Sequence, residues 1–85
     1  MTTKLVYFAW VRERIGRGSE TRNIPATVAT ARELIGWLTT QGEEYAHAFE
    51  KPETIRIAID QVHADHGQAI AGAREIAFFP PVTGG

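Results

Sequence analysis

The chain has 85 residues, 44% of them apolar and 22% charged, with a net charge of −1 and no cysteine. A chain this short buries only about 60–65% of the surface its unfolded form exposes, so residues 1–85 make one domain with one modest core. The charge balance gives no general affinity for nucleic acid or anionic membrane, and the missing cysteines exclude disulfides, thiolate nucleophiles and cysteine metal sites.

From Lys4 to Val11 the residues are mostly β-branched or aromatic and predict a strand with two apolar faces. Alternation puts Leu5 and Tyr7 on one face and Phe8 and Trp10 on the other, so one face meets the core and the other a partner or a neighbouring strand's side chains. Arg12-Glu13-Arg14 ends the run, and Gly16-Arg17-Gly18-Ser19 reads as a turn. Glu20 to Ile24 then returns as the second strand of a hairpin.

Between Pro25 and Gly42 lies the clearest helix, with Val28, Ala31, Leu34, Ile35 and Leu38 on one face. Thr27 is one possible N-cap, and Thr30-x-x-Glu33 offers a capping box a turn later. Gly42 stands where a glycine would end the helix, and Gly36 inside it predicts close packing against the sheet. A short second helix is expected over Glu43 to Phe49, and strands over Thr54 to Asp60, Val62 to Ala64, and Glu75 to Phe79. Gln68 to Gly72 is a turn-bearing connection. The order predicts an α+β fold, one main helix packed on a mixed sheet whose first and last strands pair in parallel at the centre.

Little in the chain suggests chemistry by its own side chains. His63 and His66 have a spacing that binds metal on a helix, but the local pattern is not helical and no third ligand is evident. Asp60 reads as a strand-end turn former, and no phosphate loop, Ser-His-Asp set or paired-carboxylate motif occurs.

Attention therefore falls on the end of the chain, Phe78-Phe79-Pro80-Pro81-Val82-Thr83-Gly84-Gly85. Two prolines hold the backbone extended, and two glycines then leave an arm without side chains. Such an arm suits a terminal carboxylate that enters the active site of another protein. A carboxylate is a poor electrophile, but its acyl-adenylate accepts a sulfur or amine nucleophile.

Tyr7-Phe8-Ala9-x-x-Arg12-Glu13-x-x-Gly16 and the run from Glu75 through Gly85 resemble the MoaD family, the small subunits of molybdopterin synthase. The helix from Thr27-Val28 and the segment Ile57 to Gln61 fall where that family has its helix and third strand, so the resemblance covers essentially the whole chain. It implies a β-grasp, ubiquitin-like roll in a cytoplasmic protein. It implies that Gly85 is adenylated with ATP by an E1-like, MoeB-like enzyme and given sulfur by a donor protein as a thiocarboxylate. The tail, Pro80, Pro81, Val82, Thr83, Gly84 and Gly85, would then enter the MoaE-like large subunit of a heterotetramer and deliver sulfur to cyclic pyranopterin monophosphate. The large subunit would supply the catalytic side chains, and this chain would hold no cofactor permanently.

By the same resemblance Phe8, Arg12, His63 and Phe79 form the partner interface. Three departures alter charge near it: Asp60 replaces a common Asn, His63 a commonly apolar residue, and Gly72-Ala73-Arg74-Glu75 an acidic turn. A ThiS-like carrier for thiazole synthesis, a ubiquitin-like modifier joined to lysines through Gly85, and a binding module with an unmodified tail are the competing functions.

Overall fold

The computed structural model describes residues 1–81, so Val82, Thr83, Gly84 and Gly85 lie outside the described residues. Five strands, β1 (Thr2–Tyr7), β2 (Ser19–Asn23), β3 (Arg56–Ile59), β4 (Val62–Ala64) and β5 (Glu75–Phe79), form one sheet in the order β2-β1-β5-β3-β4. As predicted, β1 and β5 run parallel at the centre, Leu5 beside Ile76 and Tyr7 beside Phe78, and the other pairings are antiparallel. This is the β-grasp roll.

Side-chain alternation separates the two faces of the sheet. Leu5, Tyr7, Ile57, Ile76 and Phe78 are buried on one face beneath three short helices, α1 (Ala9–Ile15), α2 (Ala31–Leu38) and α3 (Glu43–Ala48). The Phe78 ring stacks on Tyr7 at 5.7 Å between centroids and meets Phe49 at 5.4 Å. The longest helix, α2, contributes Ala31, Leu34, Ile35 and Leu38, one helical stripe.

Of the two possible caps, the structure uses Thr30. Its Oγ1 accepts from the Glu33 N–H at 3.2 Å, and Glu33 Oε1 accepts from the Thr30 N–H at 3.0 Å. These bonds favour the charged carboxylate, so Glu33 is held below its ordinary value, chiefly by the Ala29 and Thr30 amides.

Three expectations need correction. The apolar run does not continue as a strand to Val11: β1 stops at Tyr7, Phe8 caps α1, and Gly16 at φ 89° closes that helix by donating to the Arg12 carbonyl. Val11 and Ile15, one turn apart, are both buried there, and helical spacing buries them together where strand alternation would not. The hairpin therefore becomes a β1–β2 pair joined through α1, with Thr2 opposite Asn23 and Val6 opposite Ser19. Second, α2 ends at Leu38, and Gly42 instead precedes α3. Third, Gly36 is exposed, and a methyl group built on it meets nothing within 4 Å, so close packing does not explain this glycine.

Candidate functional site

Among the described residues, no helix covers the other face of the sheet. Strand registers set a row across four strands, Val6 beside Ala77, Ala77 opposite Ala58 and Ala58 opposite His63. Val6, Ala77 and Ala58 make a low apolar floor, and His63 stands exposed at its edge. The next residue outward along β5 is Phe79, half-buried and opposite Arg56 of β3. The His63 ring meets Phe79 edge-on at 6.3 Å between centroids.

Because β1 and β5 are parallel, both end at the same edge of the molecule. There the Phe8 N–H donates to the Phe78 carbonyl at 3.1 Å, and the Phe8 side chain is 49% exposed. Arg12 follows one turn later, its N–H reaching the Phe8 carbonyl at 3.3 Å. Its side chain crosses Gly18, where a Cβ would stand 3.2 Å from the guanidinium carbon; the absent side chain leaves that path open. Phe8 and Phe79 thus stand side by side where Pro80 and Pro81 leave β5, His63 lies against Phe79 on the adjoining part of the face, and the Arg12 side chain runs to the β2 side of β1 over Gly18. Of the predicted tail, only Pro80 and Pro81 fall within the described residues; Val82, Thr83, Gly84 and Gly85 lie outside them.

Beside the tail root opens a groove of about 290 Å³, lined by Trp10, Arg14, Glu50, Lys51, Thr54 and Pro81 among others. Arg14 sits 4.6 Å over the Trp10 ring, ion-paired with Glu50 at 3.5 Å, and donates to the His47 carbonyl at 3.3 Å. Sequence reasoning missed this groove because it assigned Trp10 to a strand. It also missed Arg56, whose place beside Phe79 depends on a register between strands far apart in sequence.

The remaining polar groups have structural partners. Asp60 Oδ1 accepts from the Arg74 and Glu75 N–H groups at 2.9 and 3.0 Å, tying the β3–β4 turn to the start of β5. Asp60 and Gln61 form that turn with φ of 49° and 70°, the left-handed geometry of a two-residue hairpin. His66 Nε2 lies 2.7 Å from the Ile55 carbonyl, and among the described residues no group of three or more metal-ligating side chains occurs.

On the covered face, Glu20 accepts from the hydroxyls of Tyr7 at 2.8 Å and Tyr45 at 2.5 Å and from Arg22 Nε at 3.0 Å. Burial alone would raise the Glu20 carboxyl, but the hydrogen bonds from Tyr45, Tyr7 and Arg22 outweigh it and hold the group below its ordinary value. Burial, reinforced by Glu20, pushes the Tyr7 phenol far above its ordinary range, so it stays a neutral donor. This cluster fastens β2 to the core and α3, away from the tail root.

The fold and the open face define a ubiquitin-like β-grasp domain with Phe8 and Phe79 at the point where Pro80 and Pro81 leave the sheet. Residues 5–85 match the model of the ThiS family, and the chain belongs to that family. It is 37% identical over 81 residues to the molybdopterin synthase sulfur carrier subunit of Haemophilus influenzae, covering 95% of this chain and 96% of the relative. The protein of the same name from Escherichia coli is 32% identical over 82 residues, covering 96% and 98%.

Among solved structures, SAMP1 from Haloferax volcanii superposes with a TM-score of 0.73 at 23% identity over 100% of both chains. A chain from the complex of subunits 1 and 2 of molybdopterin-converting factor from Helicobacter pylori gives 0.63 at 20% identity, again over 100% of both. These two likenesses establish the fold. Among the described residues, no helix is long and apolar enough to cross a membrane.

Proposed function

We propose that this chain is the sulfur-carrier subunit of a molybdopterin synthase. The observation that carries the reading is full-length similarity to two proteins of that name, together with a family match that runs to Gly85. In the mechanism, the Gly85 carboxylate attacks the α-phosphorus of ATP on an E1-like enzyme, releasing pyrophosphate and leaving an acyl-adenylate. Hydrosulfide supplied by a donor protein adds to that carbonyl, AMP departs as the C–O bond to phosphate breaks, and the proton is lost to solvent. The resulting thiocarboxylate is the nucleophile that the tail delivers to a pterin precursor in the large subunit, and ATP serves only the activating enzyme.

The geometry suits this division of labour. Binding energy comes from the sheet face, where Phe8, Phe79 and the Val6-Ala77-Ala58 floor offer apolar area with Arg12 and His63 at its margin. Docking that face holds the tail root in place, which replaces a bimolecular encounter of the reacting carbonyl by a positioned one. A large subunit as partner is consistent with the Helicobacter pylori complex of subunits 1 and 2.

Intact mass spectrometry tests the reading, after incubation with the cognate E1-like enzyme, ATP and a sulfur source. Full-length chain should exchange one oxygen for one sulfur, and a variant lacking Gly84 and Gly85 should not. Lysine-linked conjugates without a thiocarboxylate would point instead to a protein modifier. Sulfur loading followed by delivery to a thiazole precursor would point to the ThiS-like carrier.

A further inference from the structure

We infer that Arg56 and His63 select a protein partner carrying a carboxylate opposite Phe79, so that charge as well as shape decides which large subunit the sheet face accepts. The inference rests on the carrier reading above. The β3–β5 register pins Arg56 opposite Phe79, and the β3–β4 register brings His63 against the same ring. Both side chains belong to exposed residues flanking the one aromatic from which the tail emerges.

Among the described residues, no carboxylate oxygen lies within 4.0 Å of the Arg56 guanidinium. Asp65 is the residue that an extension of the register would place opposite Arg56, and it makes no ion pair with it. A partner that covers Phe79 also covers the stem of Arg56, and a cation taken from water without an acceptor is strongly disfavoured. The partner must therefore supply the missing acceptor. A planar guanidinium beside an imidazole fits the two oxygens of a carboxylate, and the apolar floor next to it fits a protein surface. Along β5 itself the acid of this face is Glu75, at the strand's far end beside Lys4; Asp65 and Glu53 lie near Arg56 without pairing with it.

The test measures binding of the full-length chain to its cognate large subunit by calorimetry, at low and high salt. Around His63 stand Arg56 on β3 and Glu53, Arg32, Asp65 and His66 along the adjoining depression. His63→Gln should weaken binding at low salt, by less than Arg56→Gln does. Arg56→Gln should weaken binding by about tenfold and reduce its salt dependence, whereas Arg56→Lys should keep the salt dependence and lose part of the affinity.

The inference is overturned if Arg56→Gln binds within about twofold of wild type with an unchanged salt slope, below what losing one charged pair is expected to cost. It is overturned equally if Asp65→Asn reproduces the loss, which would reveal an internal pair. Should wild-type chain not bind at all, or should Phe8→Ala and Phe79→Ala bind as well as wild type, the docking face itself fails and the charge assignment falls with it.

Discussion

Phe78 and Phe79 are neighbours in the chain with opposite fates. Phe78 points under the helices, stacked against Tyr7 and Phe49, whereas Phe79 points to the bare side of the sheet with Arg56 and His63 for company. Tyr7 and Phe8 repeat the contrast, the first buried and the second half exposed. Phe78 and Phe79 are the same residue type, so hydrophobicity alone does not assign a role. What differs is the cover: three helices seal one face, and among the described residues no helix covers the other. Apolar area on the sealed face stabilises the fold, and on the open face it is available for docking.

The sharpest way to break this comparison is to truncate each phenylalanine in turn. Phe78→Ala removes a fully buried ring and should cost about 3–5 kcal/mol in urea unfolding, close to the whole stability of so small a domain. Phe79→Ala should cost about 1 kcal/mol while weakening large-subunit binding. Equal losses of stability would show that the open face belongs to the core after all.

At the rim of the covered face, the Glu20 cluster gives the next largest effect. Glu20→Gln leaves Tyr7, Tyr45 and Arg22 with a weaker acceptor and should cost about 1–3 kcal/mol. The sign with pH follows from the lowered folded-state carboxyl. Its stabilisation is fully present above the unfolded-state value and is lost as pH falls through the folded-state one. Wild-type stability should thus decline on the acid side of that window, and the variant should show a shallower decline. An unchanged acid limb would remove Glu20 from the account.

How far the two faces could be read from sequence depended on the range of the interaction that sets each element. Alternation at Leu5 and Tyr7, and at Ile76 and Phe78, is local and marks the covered face correctly. The capping box at Thr30 is equally local. The α1 helix was hidden because Leu5 to Val11 satisfies a strand pattern, while the Val11–Ile15 pair that makes it helical straddles charged residues. The chain also enters α1 through Ala9 at φ 52°, a left-handed turn with no glycine to announce it. Phe8, Arg12, His63 and Phe79 could be named from the family resemblance, but Arg56 could not, since only pairing of β3 with β5 brings it beside Phe79.

The cover itself can be loosened without touching the core. Thr30→Ala deletes the side-chain acceptor at the start of α2 and half of the reciprocal cap with Glu33, and should cost about 1 kcal/mol. Because the change is confined to the helix side, large-subunit affinity should stay near wild type while the unfolding midpoint falls. A parallel loss of affinity would mean that the open face feels the helix layer through the sheet, and the division between faces would have to be redrawn.

The smallest effect runs in the opposite direction and tests the cover from its solvent side. Gly36 lies on the exposed surface of α2 without a positive φ, and a methyl group added there touches nothing within 4 Å. Alanine should therefore fit without strain while restricting the unfolded chain and favouring the helix, for a gain of about 0.5–1 kcal/mol. Urea unfolding of Gly36→Ala should show a raised midpoint at an unchanged m-value. Sulfur loading and docking should remain as in wild type, because the substitution faces away from the sheet and from the tail root. Stabilisation with loss of sulfur transfer would instead make Gly36 a contact for a partner on the helix side, and the open sheet face would no longer be the sole docking surface.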